Sequence, residues 1–187
     1  MEKKLLSETS IVTGTVDTIS HIKPKLIENH CLSNFSLSDK IKDDQFWHLE
    51  DYSIVPYHQH IQWLQDYIRD HYRVDYGAVL IPPAEHTHLN IRSIVQQTNE
   101  SINYHNHVNP WDLEHSPDIS CLYCVSETPE PAYVIFKYDD GRNAYNLWKV
   151  EIKYNQFILF NSNLEHYITQ NKNSGFLVNL STHYQLI

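Results

Sequence analysis

The sequence predicts a mainly β fold, a double-stranded β-helix (jelly roll) with helical support packed outside it. Three observations carry this. From Gly77 onward, short β-rich runs follow one another between turn residues. One well-signed amphipathic helix precedes them, and Asp140-Gly141 between two of the runs is a hairpin signal. Regular short strands imply a sandwich or barrel, and helices confined to the first half are left to cover its outside.

The elements follow in order. Between residues 8 and 25, the β-branched runs Ile11-Val12-Thr13 and Thr15-Val16 predict an outer strand. After Pro56, the residues Tyr57, Ile61, Leu64, Ile68 and Tyr72 recur at steps of three and four, with Gln59, Gln62, Gln65, Asp66, Arg69 and Asp70 on the other face. That spacing makes a helix with one apolar stripe. The predicted strands are 78–81, 91–96, 101–108, 119–125, 133–138, 147–152, 157–160, 166–169 and 176–183. The 187 residues read as a single domain, with 1–76 as outer strand and helical support and 77–187 as jelly-roll core. Four glycines are few for such a fold.

A formal charge of −9 argues against a general nucleic-acid surface, which needs clustered Lys and Arg, and is compatible with an enzyme acting on a small molecule or on a protein. Three cysteines, an odd number, do not form a disulfide framework. Cys121 and Cys124 stand three apart on a predicted strand and therefore face opposite sides, as core fillers. Met1–Glu8 lacks the apolar stretch of a signal peptide, and no run reaches membrane-spanning length, which predicts a cytoplasmic protein.

Of thirteen histidines most are scattered, but Tyr104-His105-Asn106-His107-Val108-Asn109-Pro110-Trp111-Asp112 is dense in metal-ligating groups. On an extended strand, alternation sets Ile102, Tyr104 and Val108 on one face and Asn103, His105, His107 and Asn109 on the other. A polar stripe pointing into a small barrel has to be hydrogen-bonded, wet or metal-bound. Later, His166 shares a face with Leu164 and Ile168 and is expected to point inward. A lone histidine in that setting is commonly a hydrogen-bonded core residue. Two on one strand and a third on another make a one-sided nitrogen site with coordination positions left open, which suits iron(II), with zinc, nickel or manganese as alternatives.

With these residues in view, the chain resembles the 2-oxoglutarate and iron(II)-dependent oxygenases, of the small kind often encoded by bacteria or phages. Ile119-Ser120-Cys121-Leu122-Tyr123-Cys124-Val125 is similar to a strand that follows that family's proximal ligand pair, and Leu159-Phe160-Asn161-Ser162-Asn163-Leu164-Glu165-His166 is similar to the segment bearing its distal histidine. The resemblance runs from Ser101 to the C-terminus. It implies Fe(II) held by His107 and His166, with His105 as third ligand in one register. A second register pairs His107 with Asn109, and the carboxylate then comes from Asp112 or that position is filled by no side chain. It also implies 2-oxoglutarate as cosubstrate, decarboxylated to succinate as a C–H bond is hydroxylated. The family's closing-strand arginine is replaced by Leu177, with Asn179 and Ser181 following on the same face. Arg92 or Lys137 is then the candidate cation for the cosubstrate carboxylate, with Tyr123 as a further donor.

Two other classes fit the same residues. One is a cupin-like centre of three histidines that does not use 2-oxoglutarate. The other is a non-catalytic jelly roll serving as a binding or assembly module. Neither substrate nor oligomeric state is written in the loops.

Overall fold

The computed structural model describes residues 9–17, 23–37, 52–54, 59–81, 91–108, 110–114, 116–139 and 145–187. Eleven strands and two helices lie among them: β1 (Ile11–Thr15), α1 (Pro24–Leu37), β2 (Tyr52–Ile54), α2 (Gln59–Tyr76), β3 (Leu80–Ile81), β4 (Ile91–Gln96), β5 (Ile102–His105), β6 (Ile119–Cys124), β7 (Ala132–Asp139), β8 (Tyr145–Ile152), β9 (Gln156–Asn161), β10 (Glu165–Ile168) and β11 (Leu177–Leu186). The larger sheet runs β1-β9-β6-β11-β4-β2, with β3 pairing the end of β11. The smaller runs β5-β10-β7-β8, and every pairing is antiparallel. Two curled antiparallel sheets facing each other form a jelly roll.

Two apolar layers hold it together. Ile94, Leu122, Cys124, Val134, Phe136, Ile158, Phe160, Ile168 and Leu177 fill the space between the sheets. On the other face of the larger sheet, Val95, Cys121, Tyr123, Leu159, Val178, Leu180 and Tyr184 pack against the helices. Each central strand of that sheet thus buries both faces, which is why β6 and β11 read as nearly unbroken apolar runs. Cys121 and Cys124 fall into different layers, as strand alternation requires, and both are free thiols.

The expected helix begins at Gln59 and presses Ile61, Leu64 and Ile68 onto the sheet; Tyr57 lies outside the described residues. A second helix, α1, was not foreseen. Pro24 occupies its first turn, where a missing N–H costs nothing, and Ile27 and Cys31, four apart, bury one stripe. β1 closes one side of the larger sheet, and Gly14 sits opposite Phe157 because an added Cβ there would meet the ring, within 2.7 Å of Cε1. Asp140 and Gly141 lie outside the described residues, but β7 and β8 pair up to Asp139 opposite Tyr145, as strands joined by a hairpin do. No helix among the described residues is long and apolar enough to cross a membrane.

One correction concerns β5. A straight strand over 101–108 would set Ile102 and His105 on opposite faces, yet both are buried, and Tyr104 is exposed. The cause is a bulge. Ile168 faces Ile102 and His166 faces His105, so two steps on β10 span three on β5 and the alternation resets.

Two substitutions on α2 test this packing. Leu64→Ala should lower the unfolding free energy by about 2–5 kcal/mol in urea melts, the usual cost of emptying a full core site. Asp70→Ala, on the exposed side of α2 where it pairs with Arg73 at 3.3 Å, should change stability by less than about 0.5 kcal/mol.

Candidate metal centre

Three histidines meet inside the roll. His105 ends β5, His166 lies directly across from it in β10, and His107 follows in the bend after β5. Ring centroids are 4.3 Å apart for His105 and His166, and 5.0 Å for each of them with His107. One nitrogen from each ring lies within 4.8 Å of the others, a group that could hold a metal ion. His107 is pinned by its backbone N–H, which donates to the Ser162 carbonyl at 2.9 Å. Phe160 and Phe136 pack their rings against His166 at 4.7 and 5.7 Å.

Hydrogen bonding determines which nitrogen is offered. Nδ1 of His105 lies 2.8 Å from the Asn103 carbonyl, and Nδ1 of His166 lies 2.9 Å from the Leu164 carbonyl. A carbonyl only accepts, so both Nδ1 atoms carry the hydrogen and donate it. In the neutral ring, Nε2 is then a bare lone pair, the form that binds metals, held in orientation by its backbone partner. Burial keeps His166 and His107 neutral. It pulls His166 down to about 3, assisted by the neighbouring His105, and pulls His107 well below its ordinary value, assisted by His183, His166 and His105.

His183 was not singled out from the sequence. It stands on β11 on the inward face that carries Leu177, Asn179 and Ser181, and its ring is 4.4 Å from that of His107. Continuing the alternation by one more step from Ser181 would have found it. Its Nδ1 contacts Ser120 Oγ at 3.0 Å, and Ser120 Oγ contacts Ser162 Oγ at 2.7 Å. Burial, then the Arg92 charge, lowers His183 to about 3. His105 and His166 are buried, whereas His107 and His183 are partly accessible, so the open side of the cluster is theirs.

The other expected residues divide. Arg92 stands on the inward face of β4 opposite Ser181, and its charge is felt at both His107 and His183. Asn179 is fully buried with neither side-chain polar atom hydrogen-bonded, and Ser181 Oγ lies 3.5 Å from His183 Nε2. Leu177 is buried in the apolar layer between the sheets. Two candidates are corrected. Tyr123 faces the helix layer, where its hydroxyl donates to Asn155 Oδ1 at 2.6 Å, and Lys137 shares the outer face of β7 with Tyr133, its Nζ 2.8 Å from Glu165. Alternation shows which residues share a face but not which face looks inward. Asp112 is outside the cluster, in a turn where its carbonyl accepts from Ser116 Oγ, and Asn109 lies outside the described residues.

A recess of about 690 Å³ opens between β1 and β8, lined among others by Ile11, Phe136, Tyr138, Trp148 and Leu164. It holds none of these histidines. Phe136 and Leu164, which line it, also contact His166.

No protein-family model and no curated protein sequence matches the chain. Solved structures do match. SnoK, a non-haem α-ketoglutarate-dependent carbocyclase from nogalamycin biosynthesis, superposes with a TM-score of 0.61 at 10% identity, over 95% of this chain and 79% of SnoK. ThoJ, a non-haem monooxygenase solved with nickel, superposes with a TM-score of 0.60 at 10% identity, over 95% of this chain and 74% of ThoJ. The fold is therefore the one those two enzymes share.

The low histidine values set a pH dependence for the metal-free protein. Unfolded histidines titrate near 6.5, so below that pH the unfolded chain takes up protons that the folded one refuses. Stability from His166 and His183 is complete above about 6.5 and drains away as pH falls towards about 3. Thermal midpoints should drop from pH 7.5 to pH 4.5, and His166→Gln should flatten that slope.

Proposed function

We propose that the chain is an Fe(II)- and 2-oxoglutarate-dependent dioxygenase or hydroxylase acting on a small molecule in the cytoplasm. The observation that carries this reading is the pair of Nδ1–H bonds to the Asn103 and Leu164 carbonyls, which frees two Nε2 lone pairs beside His107. The shared fold supports it. Three neutral imidazoles on one side of an ion suit iron(II) and leave its other side open.

His105, His107 and His166 would hold the iron, which when bound couples decarboxylation of a keto acid to oxidation of the substrate. Arg92 would take the cosubstrate's far carboxylate, since a guanidinium offers paired donors in a fixed fork. Ser181, across from it, and the unpartnered Asn179 amide would supply the remaining polar contacts. Phe136 and Phe160 would exclude water from the buried side.

A second reading has one observation in its favour. Leu177, buried among apolar neighbours, stands where the resembling family places its arginine, and a three-histidine centre without 2-oxoglutarate needs no cation there. Anaerobic titration calorimetry of the iron-loaded protein separates the two. Binding of 2-oxoglutarate, weakened about 10- to 100-fold by Arg92→Leu as expected for a lost charge-assisted pair, supports the first. No binding at millimolar concentration removes it. His166→Ala should abolish iron uptake with the fold retained; if it lowers only the melting temperature, His166 is a core residue and no ligand.

A further inference from the structure

His183 is the one inward histidine of the cluster that the proposed ligand set leaves unused, and its hydrogen bonding differs from theirs. His105 and His166 each turn Nδ1 to a carbonyl, which forces the hydrogen onto Nδ1. His183 turns Nδ1 to a hydroxyl, Ser120 Oγ, which is free to donate. Ser120 in turn meets Ser162 Oγ, and both serines are wholly buried. If Ser162 donates to Ser120 and Ser120 donates to His183 Nδ1, the chain of hydroxyls ends with the imidazole hydrogen on Nε2. His183 Nε2 is then a donor, not a lone pair, and its one contact among the described residues is the long one of 3.5 Å to Ser181 Oγ. The ring stands beside His107, on the partly accessible side of the cluster, and does not belong to the mutual set of three.

We propose that His183 is a positioning residue whose Nε2–H, oriented by the Ser162–Ser120 hydroxyl pair, hydrogen-bonds an anionic oxygen ligand, of the carboxylate class, bound at the open side of the metal centre. This rests on the three-histidine metal reading but not on the identity of the cosubstrate. An imidazole already held by a buried hydroxyl loses little freedom when it donates, so the bond is made at low entropic cost. Arg92 on the neighbouring strand gives the same side a positive potential.

The test uses cobalt(II)-loaded protein and oxalate, which offers two oxygen donors without a distal carboxylate and so isolates the metal end. Oxalate affinity is read from the visible cobalt spectrum, cobalt stoichiometry from elemental analysis, and the His183 tautomer from long-range ¹H–¹⁵N correlation spectra of the metal-free protein. The expected result is full cobalt uptake throughout, with oxalate binding about tenfold weaker in His183→Phe and in Ser120→Ala. His183→Gln, which keeps an N–H near the Nε2 position, should recover most of it, and His183 should be the Nε2–H tautomer. Unchanged oxalate affinity in His183→Phe and Ser120→Ala, or an Nδ1–H tautomer, overturns the proposal. Loss of cobalt in His183→Phe also overturns it, making His183 a ligand. Wild-type protein that takes up no cobalt overturns this proposal together with the metal reading. Oxalate binding without 2-oxoglutarate binding overturns only the cosubstrate assignment.

Discussion

Everything at the centre depends on how β5 pairs with β10. The register that sets His105 across from His166 is reached only because β5 carries one residue too many for regular alternation. Remove that residue and His105 would swing to solvent while Ile102 stayed inside, and the cluster would lose its link between strands. The bulge is held on both sides. Ile168 and Ile102 anchor one end in the apolar layer, and the His107 N–H bond to Ser162 anchors the other. The bulge and the long-range pairing thus act together to bring three rings from two segments into one place.

Neutrality is the second organising fact. His107, His166 and His183 are imidazoles kept uncharged by burial, and the Arg92 guanidinium acts on His107 and His183. Among the described residues no carboxylate joins the three nitrogen donors. A divalent ion would therefore keep most of its charge after binding, and part of its hold would come from whatever anion sits on its open side. The unpartnered Asn179 amide further along β11 belongs to the same picture. A buried donor and acceptor left unmatched by the chain cost stability unless something else meets them.

Much of this was legible beforehand, and what was not has identifiable causes. β4 spans 91–96 as expected, and the helix after Pro56 presents the predicted Ile61, Leu64 and Ile68. His107 and His166 do approach each other, as their strand positions implied. α1 is hard to read because its apolar stripe is thin, with Ile27 and Cys31 as its buried apolar residues. Tyr123 and Lys137 were misplaced because alternation is symmetric and only the packed layers reveal which face is interior. The bulge could not be read from either strand alone, since it exists only in their pairing. His183 was within reach, two residues past the last position considered.

The cysteines, finally, bear on how the protein behaves in air. Burial pushes the thiols of Cys31, Cys121 and Cys124 each up to about 12, and the latter two sit in different layers. Sulfur that stays protonated and shielded is a poor nucleophile and oxidises slowly. Burial thus disfavours crosslinking of the folded chain through these thiols. Metal loading can proceed without dithiols, whose own sulfur would compete with imidazole for the ion.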